Sequence, residues 1–342
     1  MSMNKTILST EVSVALTFGV NVPEGMTLPR YVSGHHLQHL VPTVVAHSFD
    51  VDTLAKFAAV VCMEELADNP VLVWGPPGSG KSSLVAQFCA RLNRPLIRVD
   101  CHADMDARDL LGGLRLVDGE TVPQPGPVAV AAQLGAICLL EEVDRLRPET
   151  LVGLNGVLNG DAVRLPEDPG TIYQRAPGFA IIMTANTNLA RDPQARYVSN
   201  SHDISLRDRV FPIHVSYMSE AQEIATILEQ VPLLANGGET EVAKMVKLAR
   251  ALRGGFVAGE TSFVISTRTL VRWARSLTIF VGSANRLGVP PLLYALNASF
   301  ADGLDEEERT MLFEGYRTVI GDQDGRFQEA VRKLGRTTYE GA

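Results

Sequence analysis

From residue 71 the chain settles into an alternation of short apolar runs and longer stretches with helical spacing. Val71 to Trp74, Pro95 to Asp100, Ala136 to Leu140 and Phe179 to Thr184 read as buried strands, with helices expected over Lys81 to Leu92, Asp104 to Leu111 and Val128 to Gly135. Such alternation predicts an α/β domain in which a parallel sheet is covered by helices. Ahead of it, Leu54, Phe57, Ala58, Val61, Cys62 and Leu66 fall on one face of a helix that starts near Asp52 and is stopped by Asn69-Pro70. Beyond about residue 217 strand signals cease, and helical patterns around Ser219 to Glu229, Glu241 to Arg253, Thr267 to Phe280 and Glu306 to Tyr316 predict a separate helical lid. The division expected is an N-terminal extension over 1–50, an α/β domain over 51–217, and a helical lid with C-terminal helices over 218–342. Within the extension, the run Val12 to Val20 is too short to fold alone.

Residues 75 to 83, GPPGSGKSS, join the first of these strands to the following helix. Both the spelling and the strand-to-helix context are those of a phosphate-binding loop. Gly75, Gly78 and Gly80 let the backbone turn tightly and aim N–H groups at phosphate oxygens, and the new helix adds the positive end of its dipole. Pro76, Pro77, Ser79 and Ser83 complete the loop, Lys81 is placed to reach the β and γ phosphates, and the Ser82 hydroxyl is the expected magnesium ligand. A nucleoside triphosphate is the ligand this implies.

The run Ile137-Cys138-Leu139-Leu140-Glu141-Glu142 is a buried strand that delivers two carboxylates at its end, where open α/β sheets place ligand-contacting groups. Glu141 is expected to hold the magnesium shell through water, and Glu142 is expected to orient or deprotonate the attacking water. The strand over Phe179 to Thr184 leads into Ala185-Asn186-Thr187-Asn188, where the Asn186 amide can hydrogen-bond the γ-phosphate or the lytic water. Arg207 and Arg209, in SLRDRVFPIHV, stand where a guanidinium can reach a neighbouring subunit's γ-phosphate, with a surface ion pair to Asp208 as the alternative. Arg268, in ISTRTLVRWARSL, can close on the same phosphates from a lid helix.

Composition narrows the partners. The chain has 342 residues, 46% of them hydrophobic and 20% charged, with a net charge of -8, which suits a soluble globular protein and disfavours nucleic acid as a partner. No apolar stretch reaches the length of a membrane span, and the start MSMNKTILSTEVSV lacks the pattern of a secretory signal, so a cytoplasmic location is expected. Cys62, Cys89, Cys101 and Cys138 lie in apolar or strand-like stretches without metal-ligand spacing, and reduced core thiols are expected. His35 and His39 would share one face of a helix, with His36 beside them, but no cysteine or carboxylate pair of matching spacing is near. Surface or packing roles are therefore expected of all three.

The segments GSGKSS, EEVDRLRPETLVGLNGVL, FAIIMTANT and LRDRV together resemble the AAA+ ATPases. With VSVALTFGV near the start and AKMVKLARALRGGF and STRTLVRWA in the lid, the chain resembles their MoxR-like and chelatase branch nearly end to end, and most of all the ATPase subunits of aerobic cobaltochelatases. The resemblance implies an AAA+ P-loop fold whose second helix carries an inserted hairpin, for which Gly112 to Pro127 is the candidate. It implies ATP and magnesium, with Lys81 and Ser82 on the phosphate-loop positions, Glu142 on the catalytic acid, Asn186 on the first sensor, Arg209 on the finger and Arg268 on the second sensor; Arg207 has no counterpart. It further implies a homo-oligomeric, hexameric ring that couples ATP hydrolysis to remodelling of a partner with a von Willebrand A-type (VWA) domain, in a metal-chelatase-like complex. The client is then read by the hairpin and the N-terminal region. Two other readings stand beside it, a MoxR-like ATPase that activates or matures another enzyme or assembly, and a nucleotide-gated scaffold with little hydrolysis. The chain departs from the family pattern at Glu141, where Asp is usual, and at Pro76-Pro77, which stiffens the loop.

Overall fold

The computed structural model of the protein describes residues 7–63, 69–168, 170–190, 204–322 and 325–335. Contacts divide the chain into two compact units, Met1–Ser216 and Tyr217–Ala342. The first runs β1 (Ser9–Ser13), α1 (Val14–Phe18), β2 (Thr27–Tyr31), α2 (Val51–Cys62), β3 (Val71–Trp74), α3 (Lys81–Arg91), β4 (Leu96–Asp100), α4 (Ala107–Leu111), β5 (Gly112–Val117), β6 (Glu120–Pro125) and α5 (Pro127–Leu134). It continues through β7 (Ile137–Glu141), α6 (Pro148–Val152), α7 (Asn155–Leu158), β8 (Val163–Arg164), β9 (Ile172–Tyr173), β10 (Ala180–Ala185), α8 (Ile204–Asp208) and β11 (Phe211–His214). The second unit holds α9 (Glu220–Gln230), α10 (Glu239–Ala258), α11 (Thr267–Leu287), α12 (Pro291–Ser299), α13 (Glu306–Ile320) and α14 (Phe327–Lys333).

Among the described residues the main sheet has five strands in the order β11-β3-β10-β7-β4, and every pairing in it is parallel. Alternate side chains of a strand face opposite sides, so a sheet covered on both sides needs apolar residues at every position. β3, β7 and β10 supply this except at Glu141 and Thr184, near the C-terminal ends of β7 and β10. Val71, Val73, Ile137, Leu139, Ala180 and Ile182 join one core with Leu54 and Phe57 of α2 and Leu84, Val85 and Phe88 of α3. Leu72, Cys138, Leu140, Ile181 and Met183 join the other, with Leu110 and Leu111 of α4 and Val128, Ala129, Ala131 and Ala132 of α5.

The strands and helices expected from periodicity are present, most of them to within a few residues; α10 and α11 run on past the expected ends to Ala258 and Leu287, α2 ends at Cys62, and Leu66 lies outside the described residues. β11 was not expected. It is four residues long, contains Pro212 and forms the edge beyond β3, where a proline without an N–H to donate is tolerated. The described residues before 50 pack into the first unit: Val14 and Phe18 are buried, and Phe18 meets Phe49 edge-on at 5.0 Å and stacks on Phe88 at 5.7 Å. The hairpin expected over Gly112 to Pro127 is β5 paired with β6. Asp118 and Gly119, at φ 51° and 86°, form its two-residue turn, the left-handed pair that matches strand twist.

The second unit is wholly helical among its described residues. Ser219, Ser266 and Asp305 cap α9, α11 and α13 through their side-chain oxygens, and Gly259 and Gly288 end α10 and α11 in the left-handed region. At its centre Trp273 is fully buried and donates its ring N–H to the Leu292 carbonyl at 2.9 Å. Glu223 of α9, fully buried, receives both terminal nitrogens of Arg253 from α10 at 2.8 Å and the Thr267 hydroxyl at the start of α11. Arg253 also lies under the Tyr217 ring, 3.9 Å from its centroid. Removing one partner of a buried ion pair strands the other charge away from water. Glu223→Ala is therefore expected to destabilise the helical unit by about 3–5 kcal/mol, measured by denaturant unfolding; a loss below about 1 kcal/mol would show the pair to be as weak as an exposed one.

Candidate nucleotide site

β3, β10 and β7 lie side by side, and the segment leaving the C-terminal end of each bears candidate residues. The register places Ala185 of β10 opposite Trp74 of β3, and the Gly75 N–H donates to the Ala185 carbonyl at 3.2 Å, so the two loops leave the sheet joined. A Cβ on Gly75 would fall 2.1 Å from the Val215 carbonyl oxygen, which makes glycine obligatory there. Gly80, at φ 93°, turns the chain into α3, and no side chain caps that helix end. Its first-turn N–H groups and dipole are thus left for an anion. The Pro76 carbonyl accepts the Ser79 N–H at 3.3 Å, and the Ser79 hydroxyl is buried without a hydrogen-bond partner.

Lys81, in the first turn of α3, donates to the carbonyls of Gly75 at 2.8 Å and Pro76 at 2.9 Å and to the Asn186 side-chain oxygen at 3.0 Å. Burial lowers its pKa to about 8, against the opposing pull of the Asp144 and Glu142 carboxylates. Ser82 donates its hydroxyl to Glu141 Oε2 at 2.5 Å. The other Glu141 oxygen receives Arg98 Nε, from β4, at 2.7 Å, and Arg98 Nη2 as well. Glu141 shares strand parity with Leu139, which packs in the core with α3, and this directs its carboxylate toward Ser82.

Glu142 follows in the left-handed region at φ 58°, a conformation that costs a non-glycine residue about 1–2 kcal/mol and is kept where the surroundings impose it. Its N–H donates to the Thr184 hydroxyl at 3.3 Å, and its half-exposed carboxylate pairs with Arg145 Nε at 2.8 Å. Asp144, which the sequence reading passed over, is 1% exposed. Its Oδ2 accepts the N–H groups of Asn186 at 2.8 Å and Thr187 at 3.3 Å, while Oδ1 is buried without a partner. Burial raises its pKa, and those two N–H groups counter the rise. Its signal in the sequence is a carboxylate set between Val143 and Leu146, both of which are fully buried.

Lys81, Ser82, Glu141 and Asn186 are thus gathered by direct hydrogen bonds, with Glu142 and Asp144 beside them. Arg209 is not among them: it donates Nε to Asn159 at 2.9 Å and Nη1 to the Ser205 carbonyl at 2.6 Å, on the first unit's α7–α8 side. The neighbouring Arg207 has a buried Nε without a hydrogen-bond partner among the described residues. Arg268 is exposed in the first turn of α11, in the second unit. Ser83 pairs with Nδ1 of His47 at 2.9 Å, a contact not expected from the sequence. Burial, assisted by the Arg91 charge, pushes the His47 pKa down to about 4. The Val45 N–H and the Thr43 carbonyl both bond the Gln87 amide, so residues 43–47 lie along α3. His35 and His39 do not share a helix face, because the backbone there runs through a turn and one 3-10 turn. His35 is a packing residue that bonds the Asn93 carbonyl at 3.0 Å and stands edge-on to Tyr31.

A glycine-rich loop opening an uncapped helix, with carboxylates and an amide at the ends of the two next strands, defines a P-loop nucleoside triphosphatase of AAA+ architecture. The family model of the AAA domain (dynein-related subfamily) matches residues 70–209. The chain is similar to protein NorQ of Paracoccus denitrificans, 35% identical over 228 residues that span 66% of this chain and 78% of NorQ. It is similar to the aerobic cobaltochelatase subunit CobS of Sinorhizobium sp, 28% identical over 324 residues and 91% of both chains. The denitrification regulatory protein NirQ of Stutzerimonas stutzeri is 30% identical over 242 residues, 71% of this chain and 81% of NirQ. The chain belongs to the MoxR-like AAA+ ATPases, and it is an ATP-hydrolysing enzyme.

The lowered pKa of Lys81 gives nucleotide binding a pH signature. Free protein loses the Lys81 proton as pH rises through about 8, whereas a bound triphosphate favours the charged form and raises the pKa. The Lys81 contribution to affinity is then constant below pH 7 and falls by up to tenfold per unit above 8, with proton uptake on binding. Calorimetry of ATP binding at pH 9 in buffers of different ionisation enthalpy checks this; no proton uptake would show that Lys81 stays charged in the free protein.

Proposed function

We propose that this ATPase is the motor subunit of a two-component, metal-chelatase-like machine, which acts as a ring of its own copies and remodels a protein partner bearing a VWA-type domain. The reading is supported above all by the likeness to cobaltochelatase subunit CobS, which spans 91% of both chains and so includes the hairpin and the segments outside the ATPase core. A second reading, activation or maturation of another enzyme by a MoxR-like ATPase, is favoured by the higher identity to NorQ over a shorter span. A hexameric ring is favoured by the resemblance to the branch, and a cytoplasmic site of action accords with four cysteines placed as free thiols. Among the described residues no helix is long and apolar enough to cross a membrane.

In this reading the loop over Gly75, Pro76, Pro77, Gly78, Ser79, Gly80, Lys81, Ser82 and Ser83 wraps the phosphates, with Lys81 exchanging its loop carbonyls for β and γ oxygens. The Ser82 hydroxyl and the Glu141 carboxylate converge at 2.5 Å, a hard-oxygen pair that fits magnesium, and these two residues would hold it. A magnesium ion held by them would supply charge neutralisation for the phosphate oxygens. The Glu142 carboxylate accepts the proton of the attacking water. The Asn186 amide orients that water or the γ-phosphate, and Asp144 fixes the Asn186 backbone from below through the two N–H groups it accepts. Arg209 reaches the γ-phosphate of the adjacent subunit, and Arg268 acts from the lid of the same one.

The hairpin formed by β5 and β6 carries the proposed coupling. Leu116 and Val117, near its tip, are 75% and 50% exposed, and its base is gripped from outside, since Glu167 accepts the Leu114 N–H at 2.9 Å and Arg108 Nη1 at 3.0 Å. None of the phosphate-site residues lies on it. Replacing Leu114 to Pro123 by a short turn is therefore expected to leave basal ATP turnover intact and to abolish its stimulation by the VWA-domain partner. Turnover with and without that partner decides it: full stimulation of the shortened protein would contradict the coupling role.

A further inference from the structure

Glu141 carries two kinds of partner on its two oxygens. Oε2 takes the Ser82 hydroxyl, and Oε1 takes two nitrogens of one guanidinium, Arg98. The two side chains differ in exposure: that of Glu141 is 12% exposed, whereas that of Arg98 is 54% exposed and comes from β4, the edge strand beyond β7. Arginine cannot shed its charge, so it can vacate the carboxylate only by rotating into solvent, and its exposure leaves that route open. The added methylene of glutamate over aspartate lengthens the side chain that spans from β7 to both Ser82 and Arg98. Register contributes too: Arg98 lies opposite Leu139, one parity step below the Asp100–Glu141 pair, so it shares their face of the sheet.

We propose that Arg98 is a resident counter-ion that a divalent cation must displace from Glu141, and that this exchange sets the magnesium concentration at which the site grips nucleotide. The inference rests on the reading of Ser82 and Glu141 as the metal's protein ligands. The dication would meet Glu141 on its Ser82 side while the guanidinium holds the other oxygen, and two cations on one carboxylate repel, so the cation binds at the expense of the ion pair. Arg98 touches no other candidate site residue in the described structure, and it acts on the reaction only through Glu141. The same contact admits an opposite role, in which the arginine holds the carboxylate ready for the metal. The two roles predict opposite signs.

The experiment is calorimetric titration of ADP into the full chain over a range of free magnesium, for the parent, Arg98→Gln, Arg98→Lys and Glu141→Gln. Displacement predicts that magnesium-free ADP affinity is the same in the parent and Arg98→Gln. The magnesium concentration for half of the affinity gain then falls about three- to fivefold in Arg98→Gln, the scale of a half-exposed ion pair, while Arg98→Lys, which keeps the charge, stays near the parent. An unchanged or higher threshold in Arg98→Gln, with the magnesium effect lost in Glu141→Gln, overturns the counter-ion role alone. A full magnesium effect surviving in Glu141→Gln overturns the ligand reading beneath it. Arg98→Met, which keeps the apolar stem across the strand, repeats the test should glutamine lower the melting temperature.

Discussion

The Lys81 ammonium is held by two carbonyls of its own loop and by the amide of Asn186, a residue 105 positions further along the chain. Everything else in the site depends on how those partners are brought together. Lys81 sits where it does because Gly75 is allowed against the Val215 carbonyl and Gly80 can turn the loop into α3. Asn186 meets it because β10 lies beside β3 in a register that puts Ala185 against Trp74. That register is held by central strands that are apolar along most of their length and need helices on both faces of the sheet. The hydrophobic pattern of the chain and the position of one cation are therefore consequences of the same sheet.

Three carboxylates within four residues, Glu141, Glu142 and Asp144, would repel one another if left bare. Each is satisfied differently. Glu141 has a hydroxyl and a guanidinium, Glu142 has Arg145 at the surface, and Asp144, the most buried, has two backbone N–H groups. The gradation suits different tasks. A carboxylate fixed by backbone N–H groups is a scaffold, whereas one held by an exposed arginine can change partners. Burial of Lys81 and Asp144 pulls their pKa values toward each other, a polarised arrangement of the kind found where charge is to be handled away from water.

Much of this was legible in the sequence because it is local. The phosphate loop between Trp74 and Lys81 and the acidic end of β7 are each written in a few consecutive residues whose backbone demands are specific, whereas the hairpin over Gly112 to Pro127 was implied by the family resemblance. What was missed depends on neighbours distant in sequence. β11 is short and contains Pro212, and only its place at the edge beside β3 makes it a strand. His47 reaches Ser83 because residues 43–47 run along α3, and nothing in their spelling says so. Arg98 looks like an ordinary strand residue until β4 is laid against β7. The histidines at 35 and 39 show the converse, since helical spacing carries no meaning where the backbone is not an α-helix.

The central claim is that the Lys81 ammonium, released from the loop carbonyls, is the principal side-chain cation on the triphosphate. Equilibrium titration of ATP into Lys81→Ala, with folding verified by thermal melting, tests it most directly. Loss of a charged hydrogen-bond donor worth about 1.5–3 kcal/mol predicts an affinity about tenfold to a hundredfold weaker than that of the parent. An unchanged affinity would contradict the account and place the triphosphate elsewhere in the molecule.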